Sequence, residues 1–336
     1  MSDRSKVADH GDLLSEMLEN LRFHGDPGIN GAFTAPWGVG FDAQPCQAPF
    51  YVIAAGACRL NVPSVGEWEL HQGDLVLLPR GDAHHLKDAP GSRVIASSAI
   101  LSTPGQGMQT LRWGGGGRET QIIGGFFRFE SPFSLPILGA MDPVILFGAQ
   151  DDKPWEAVTP LLGMFCREGQ SQGPGSRVAT SGLLKLLFIE ILRATMSNRE
   201  KENRPCNKNP LVLLFDPVLR KAAEAIHFET RRDWTVASLA EVSGLSRTSF
   251  AVRFQELTGA SPLAYLTQVR MLKAIDFLEQ TNDTLETIAH SVGYGSEAAF
   301  STAFKRELGV SPGAYRKQKP VGSPREWAPE PLPVKL

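Results

Sequence analysis

The residues of this sequence with the clearest potential for chemistry are two adjacent histidines after a tight turn. They close the segment GDLVLLPRGDAHHL (residues 73–86), whose apolar run predicts a strand and whose Pro-Arg-Gly predicts the turn. Imidazole nitrogens are common metal ligands, so His84 and His85 raise the hypothesis of a metal-dependent enzyme. Metal sites normally take three or four protein ligands. Adjacent side chains on an extended segment point in opposite directions, so these two histidines alone do not make a site.

The elements around the histidines predict a small β-domain flanked by helices. Between about residues 30 and 150, short apolar runs alternate with Gly, Pro and Asp, which is typical of a barrel or sandwich. DLLSEMLENL (12–21) and SGLLKLLFIEILRATM (181–196) have the spacing of helices. The glycine-rich segment WGGGGRETQIIGG (113–125) lacks the ending of a phosphate-binding loop, so we predict a hairpin or loop there.

Composition points to an ordinary intracellular protein. The 336 residues are 42% hydrophobic and 21% charged, with a net charge of −2. Cys46, Cys58, Cys166 and Cys206 lie far apart without a CxxC pair, which indicates a reducing compartment and no disulfide or zinc site. The N-terminal segment lacks a signal-peptide pattern, and no apolar run is long enough to span a membrane. We therefore expect a cytoplasmic protein without a membrane contact.

Two segments are predicted to lack packed structure. SNREKENRPCNKNP (197–210) is polar and contains two prolines, so it is predicted as a linker. Residues 320–336 form a tail that contains five prolines, and we predict that it is disordered. The chain is thus divided into a first domain (1–196), a linker (197–210), a helical domain (211–319) and the tail.

The helical domain contains an internal repeat. LAEVSGLSRTSFAVRFQELTGASPLAYL begins at residue 239, and IAHSVGYGSEAAFSTAFKRELGVSPGAYR begins at residue 288. Ala240 and Gly244 recur at an offset of 49, and eight further residues recur at an offset of 50 after a one-residue insertion. These eight are Ser246, Phe250, Phe254, Gly259, Ser261, Pro262, Ala264 and Tyr265. Ten matches in order indicate a duplicated structural unit.

Each unit has the pattern of a helix-turn-helix. A short apolar helix ends at Gly244 or Gly293, where glycine can take a positive φ and let the chain turn sharply. Ser246 and Ser296 are then placed to cap a second helix. One amphipathic helix over residues 262–280 would hold the two second helices about one DNA turn apart, roughly 34 Å.

Residues 215–316 resemble the DNA-binding domain of AraC/XylS-type transcription regulators. The match is carried by WTVASLA, SGLSRTSF, GASPLAY and VRMLKA, and then by IAHSVGY and AAFSTAFKRELGVSPGAYR. The resemblance implies that the two recognition helices enter adjacent major grooves of double-stranded DNA. The DNA-binding residues that we carry over are Arg247, Thr248, Ser249, Ala251, Val252, Arg253, Ser296, Glu297, Ser301, Thr302 and Lys305. Ala251 and Val252 depart from the family, which often has a polar or basic residue there, and leave apolar contact with a thymine methyl as their role.

A helical bundle that binds no DNA is the alternative for this region. Residues 209–320 hold 13 Lys and Arg against 12 Asp and Glu, a small basic excess for a nucleic-acid binder. The duplication, the matched turns and the exposed residue types favour DNA. Arg247 is the best candidate for a guanine or phosphate contact, with a solvated arginine at a helix end as the equal alternative.

The first domain resembles the cupin sensor domain found in one subgroup of AraC-type regulators. Gly73, Asp74, Pro79, Gly81 and His84 stand at the spacing of the second cupin motif. In metal-binding cupins His84 would be one ligand, and the preceding hairpin, here APFYVIAAGACRLNV (48–62), would supply two histidines and a carboxylate. That hairpin contains no histidine. We therefore expect no metal and no cofactor, and we expect His84 to hydrogen-bond at the mouth of the barrel.

Two kinds of signal remain open for this domain. Cys46 and Cys58 lie near the predicted hairpin, and a redox switch would need a thiol of low pKa there. Burial as small apolar residues is the alternative for both cysteines. A small organic effector inside the barrel is equally open, and its candidate wall residues are Trp37, Phe50, Tyr51 and Trp68.

The segment SGLLKLLFIEILRA (181–194) is apolar around more than one face. Such a helix is either buried against the barrel or paired with a second copy, and both alternatives stay open. Dimers of DNA-binding proteins mirror two-fold operators, so a homodimer is expected.

Together these features predict an α+β protein with an N-terminal cupin-like β-barrel and a C-terminal all-α double helix-turn-helix. The predicted function is sequence-specific transcription regulation, controlled by a signal sensed in the barrel and without catalysis. The alternative is a cupin-type metal-dependent enzyme with an appended helical domain. Candidate partners are double-stranded DNA, RNA polymerase, a small-molecule or redox effector and a second copy of the chain.

Overall fold

The computed structural model describes residues 12–63, 65–101, 108–130, 138–139, 141–148, 152–171, 173–202 and 208–317. The chain divides into two compact units. The first includes Met17–Phe215, and the second includes Asp216–Gln255 and the chain from Ala260 onward. The first unit holds the strands and the second is helical, which confirms the predicted α+β class.

The first unit is built on two β-sheets preceded by helix α1 (Leu13–Leu21). Its described strands are β1 (Phe23–Thr34), β2 (Gly38–Phe41), β3 (Gln47–Ala55), β4 (Ala57–Val62), β5 (Gly66–His71), β6 (Leu75–Leu77), β7 (His84–Lys87), β8 (Ile95–Ala96), β9 (Gln109–Gly114), β10 (Glu119–Phe129) and β11 (Ile145–Phe147). One sheet has the order β11-β6-β3-β10-β1-β9, and the other has the order β5-β4-β7-β2-β8. The hydrogen bonds thus form two sheets instead of one closed barrel.

The predicted hairpin over residues 48–62 is wrong, because its two strands belong to different sheets. Strand β3 pairs with β10 and β6, whereas β4 pairs with β5 and β7. The chain crosses from one sheet to the other at Gly56, which has a φ of 79°. A Cβ at Gly56 would lie 2.7 Å from the carbonyl oxygen of Glu119, so glycine permits this crossing.

The glycine-rich segment forms a loop and not a hairpin. Strand β9 pairs in parallel with β1, and β10 pairs antiparallel with the same strand, so β1 lies between them. The loop from Gly114 to Arg118 passes over Ala35, whose carbonyl oxygen accepts a hydrogen bond from Gly117 N. Its glycines allow the close approach of two backbones.

Two helices follow the sheets in the first unit, α2 (Asp152–Ser171) and α3 (Ser176–Glu202). The Phe188 ring of α3 lies 4.6 Å from the Phe23 ring and 4.9 Å from the Phe127 ring, measured between centroids. Gly25 of β1 lies directly beneath Leu184, where a Cβ would overlap the leucine. One face of α3 is therefore buried against the larger sheet, which is the first of the two alternatives given above for this helix.

The first residues of the predicted linker are helical. Residues 197–202 continue helix α3, and Arg, Glu and Lys are good helix formers. At its other end, Pro210–Leu214 forms a short 3₁₀ turn with buried side chains. Residues 203–207, which include Cys206, and the predicted disordered tail at 320–336 lie outside the described residues.

The second unit consists of helices joined by short turns. They are α4 (Leu219–Phe228), α5 (Val236–Val242), α6 (Arg247–Thr258), α7 (Pro262–Gln280), α8 (Leu285–Ser291), α9 (Glu297–Leu308) and α10 (Pro312–Lys317). Helix α7 has the predicted bounds. Among the described residues, no helix combines the length and apolar composition needed to cross a bilayer.

Candidate functional sites: a buried histidine in the β-unit and a paired helix-turn-helix surface

His84 begins strand β7 and lies in the interior of the first unit, with 2% of its surface exposed. Its Nδ1 is 2.8 Å from the carbonyl oxygen of Asp82, and its Nε2 is 2.8 Å from the Tyr51 hydroxyl. A carbonyl only accepts, so Nδ1 donates to it and Nε2 of the neutral ring accepts from Tyr51. Protein groups thus engage both ring nitrogens.

The surroundings of His84 keep it uncharged. Its ring stacks on Phe41 at a centroid distance of 4.9 Å, and burial lowers the pKa of His84 to about 4. His85 points to the other side of the strand and is half-buried, and His71 is exposed. Across the described residues, His, Cys, Asp and Glu side chains form no cluster of three or more that could hold a metal ion.

The environments of the cysteines near the sheets disfavour the thiolate form. Cys58 is buried, and burial raises the pKa of its thiol to about 12. Burial also raises the pKa of the half-buried Cys46. A redox-sensing cysteine needs a lowered pKa and solvent access, so neither environment favours oxidation.

The proposed wall residues form part of a packed core. Trp37, Tyr51 and Cys58 belong to one apolar cluster between the sheets, and Trp68 packs against it from a half-buried position. The Phe33 ring stacks on Trp37 at 4.7 Å. The indole N–H of Trp37 is buried without a hydrogen-bond partner, which makes it a polar group that a ligand acceptor could satisfy.

Both helix-turn-helix units are built with the predicted capping groups and turns. Ser246 Oγ accepts from Ser249 N at 3.2 Å, and Ser296 Oγ accepts from Ala299 N at 3.2 Å. Gly244 and Gly293 have φ values of 68° and 87°, the left-handed conformation that ends a helix. The sequence pattern alone predicted these features.

The aromatic cores of the two units repeat as well. Phe250 and Phe254 lie 5.6 Å apart, and Phe254 lies 5.6 Å from Tyr265. The corresponding distances are 5.6 Å between Phe300 and Phe304 and 5.7 Å between Phe304 and Tyr315. The same packing therefore holds α6 and α9 in their units.

Helices α6 and α9 also expose nearly the same positions of the repeat, except that the counterpart of Arg253 is the buried Ala303. The exposed or half-buried positions on α6 are Arg247, Thr248, Ser249, Ala251, Val252, Arg253, Gln255, Glu256 and Leu257. On α9 they are Glu297, Ala298, Ala299, Ser301, Thr302, Lys305, Arg306 and Glu307. Most residues carried over from the family resemblance thus share one surface on each helix, and Ser296 caps the second of these helices. Ala298 and Arg306 were not predicted from sequence, although they lie one helical turn either side of Thr302.

Arg253 is engaged within the protein. Its guanidinium binds Asp216 Oδ2 through Nη2 at 2.6 Å and Nε at 3.1 Å. Asp216 also accepts hydrogen bonds from Val218 N and Leu219 N at the start of α4. Burial raises the pKa of Asp216, but these two bonds and the contact with Arg253 outweigh it, so the pKa is lowered. Arg253 therefore ties α6 to α4, a role that sequence spacing could not reveal.

Arg270 of α7 connects the two helix-turn-helix units. Its Nε and Nη2 donate to the carbonyl oxygens of Thr230 and Arg232 at 3.1 and 2.8 Å, and its guanidinium lies 5.5 Å from the Tyr294 ring centroid. Thr230 and Arg232 precede the first helix-turn-helix, and Tyr294 lies in the turn of the second. Arg270 and Tyr294 are part of the quoted family match, but no periodicity signalled their contact.

Comparison with known proteins gives this surface its context. The sequence matches the Cupin family over residues 12–197 and the Helix-turn-helix domain family over residues 239–318. It is 34% identical over 308 residues to a Streptomyces lividans protein named as an AraC-like transcription regulator, which covers 91% of this chain and 98% of the relative. It is 29% identical over 313 residues to the HTH-type transcriptional regulator AlkR of Acinetobacter baylyi, which covers 91% of this chain and 99% of AlkR.

Among solved structures, the DNA-binding domain of AdpA in complex with a target DNA is 35% identical to this chain. It covers 31% of this chain and 92% of that domain, with a TM-score of 0.29. The near-complete coverage of the Streptomyces relative, at an identity of 34%, extends the likeness to both units. The chain with its cupin unit and paired helix-turn-helix therefore belongs to the AraC-like transcription regulators.

Proposed function

We propose that this DNA-binding transcription regulator reads its operator with the exposed faces of α6 and α9. The observation that carries the proposal is the match between the two helices, which expose nearly the same repeat positions over equivalent aromatic cores. On α6, Arg247, Thr248 and Val252 are the contacts with bases or phosphates. On α9, Ser301, Thr302 and Lys305 take this role, and Glu297 suits the amino group of a cytosine.

Arg253 serves as an internal control for this proposal. Because its guanidinium is paired with Asp216, we expect Arg253→Met to lower stability more than base discrimination. Thr302→Ala and Arg247→Ala are expected to relax the preference at one base position each, by about 1–3 kcal/mol. The measurement is selection of DNA fragments by the full chain, followed by the affinity of each variant for the selected site against increasing salt. Equal base preference in all three variants would contradict the assignment.

The first unit supplies the signal in this proposal. The buried indole N–H of Trp37 and the raised pKa values of Cys46 and Cys58 favour a small organic effector over an oxidant. Tyr51 belongs to this core, Trp68 packs against it and His84 contacts Tyr51, so these three are the candidate contacts with the effector. The chain acts without catalysis in the cytoplasm, and RNA polymerase is its proposed protein partner.

A second copy of the chain is the proposed partner for the outer face of α3. Val178 and Leu186 are 72% and 51% exposed there, and the exposed Gly182 lies between them at helical spacing. Apolar side chains flanking a glycine suit close contact with another helix, and two-fold operators are read by dimers. The opposite face of α3 is the buried one, so dimerisation through this face leaves the packing on the sheet unchanged.

Leu186→Glu is expected to weaken the dimer by at least about tenfold, since it places a charge in an apolar contact. The matched control is Lys185→Glu, which introduces the same residue at the adjacent exposed position. Sedimentation equilibrium of the full chain measures both. A dimer equally strong in both variants would show that this face of α3 is not the interface.

A further inference from the structure

A groove of about 600 Å³ lies between helix α7 and the second helix-turn-helix unit. Helix α7 contributes Leu263, Thr267 and Arg270 to its walls, the turn before α9 contributes Tyr294, and α9 contributes Thr302 and Arg306. Trp234, which precedes α5, also lines the groove, so the second helix-turn-helix and the helix that joins the two units form most of its walls.

The groove opens beside the proposed reading surface. Thr302 belongs to the exposed face of α9 and also lines the groove. If α6 and α9 enter adjacent major grooves, the DNA between them presents the sugar-phosphate backbones that border the intervening minor groove. That part of the duplex passes between α6 and α9, and Thr302 places the groove next to the proposed DNA-facing surface of α9.

Charge in the groove suits a phosphate. Arg270 is held in place by the carbonyl oxygens of Thr230 and Arg232, so it supplies a fixed positive charge at the wall. Arg306 is 67% exposed and is paired with Glu307 at 2.8 Å, an exchangeable surface contact. The residues that line the groove thus include two guanidinium groups and no carboxylate, although the helical unit as a whole has little basic excess.

The space in the groove suits the sugar-phosphate backbone of DNA. Ala298 and Ala299 leave room along the α9 wall, and Leu263 is 41% exposed on the α7 wall. Small and apolar walls next to guanidinium groups match the alternation of deoxyribose and phosphate.

We infer that the groove receives the DNA backbone between the two major-groove sites, with Arg306 contacting a phosphate and Arg270 adding a fixed positive charge. This inference rests on the proposed DNA reading by α6 and α9. The contact adds affinity without reading a base, because every sequence presents the same phosphates.

Leu263→Glu tests the inference with little risk to folding, because a carboxylate in the first turn of α7 is favourable for the helix. Its control is Leu263→Gln, which has nearly the same shape without the charge. Arg306→Gln is compared with Arg220→Gln, since Arg220 is a similarly exposed arginine paired with Glu224 at 2.8 Å and lies outside the groove. Each variant is measured as the full chain on the DNA site that the unmodified chain selects.

We expect Leu263→Glu to bind about tenfold more weakly than Leu263→Gln at 0.1 M salt, with unchanged base preference. Arg306→Gln is expected to reduce the slope of log affinity against log salt by about 1, and Arg220→Gln to leave it unchanged. Ethylation of phosphates midway between the two base-specific sites should interfere with the unmodified chain and less with Arg306→Gln.

The outcomes separate this inference from the proposed function. Selection of a specific site together with equal binding by both Leu263 variants would overturn the groove contact and leave DNA reading intact. If the unmodified chain selects no site, the proposed reading surface and the groove contact fail together.

Discussion

Gly293→Ala is expected to destabilise the helical unit by about 2–4 kcal/mol and to abolish binding to the second half of the DNA site. Gly293 has a φ of 87°, which strains any residue with a Cβ. The added Cβ would also lie 2.7 Å from Arg270 Nη2 and 2.9 Å from the Thr230 carbonyl oxygen. Arg270 would have to leave its two carbonyl partners, so the connection between the units would be lost together with the turn.

Gly244→Ala is the matched control, because Gly244 occupies the same position of the first unit. Its φ of 68° imposes a similar backbone strain, but no atom lies within 4 Å of the added Cβ. We expect a cost of about 1 kcal/mol for this variant. Calorimetry of the full chain measures both variants. Equal costs would show that the Arg270 contact contributes nothing measurable.

Acidification is expected to destabilise the first unit through His84. The pKa of His84 is about 4 in the folded chain, against 6.5 for an ordinary histidine. Between these values the unfolded chain binds the extra proton, so stability falls as the pH drops below 6.5 and the loss is complete near pH 4. The full effect is about 3 kcal/mol, or up to about 1.4 kcal/mol per pH unit.

The measurement is the thermal transition of the first unit at pH 7, 6 and 5. His84→Gln keeps a hydrogen-bonding side chain without a titrating ring, so its transition should vary less with pH over this range. His71→Gln, at an exposed position, should behave as the unmodified chain. His24 has the opposite pH dependence, because hydrogen bonds to Asp26 and Glu130 raise its pKa from 6.5 to about 9. Its contribution to stability is fully present below pH 6.5 and is lost as the pH rises from 6.5 to about 9. A wild-type transition that does not change between pH 7 and 5 would contradict the buried, neutral state of His84.

The helical unit was largely predictable from sequence because its determinants are local. A capping serine, a glycine in the turn and two phenylalanines one helical turn apart specify each unit within about 15 residues, and the duplication confirms the pattern. The amphipathic pattern predicted the extent of α7, and Ser261 and Pro262 mark its start. These signals act between residues close in the chain, where sequence reasoning is strongest.

The sheets and the internal ion pairs could not be predicted in the same way. The resemblance to cupins placed residues 48–62 on a hairpin, but strand pairing depends on partners such as β10 far along the chain. Arg253 looks like a DNA contact on its helix, and its partner Asp216 is 37 positions away. His84 was expected at the mouth of the barrel, and its burial against Phe41 and Tyr51 depends on the fold.

The separation of core and surface within the repeat also bears on how such proteins diversify. Phe250 and Phe254, with Phe300 and Phe304, maintain two nearly identical interiors, whereas outward positions such as Thr248 and Glu297 carry no part of that packing. Mutation can therefore rewrite one recognition helix without disturbing the other or the shared interior. One subunit then reads two unrelated half-sequences, so the stretch of operator under a single chain is expected to be asymmetric, with any two-fold symmetry arising only from a second subunit.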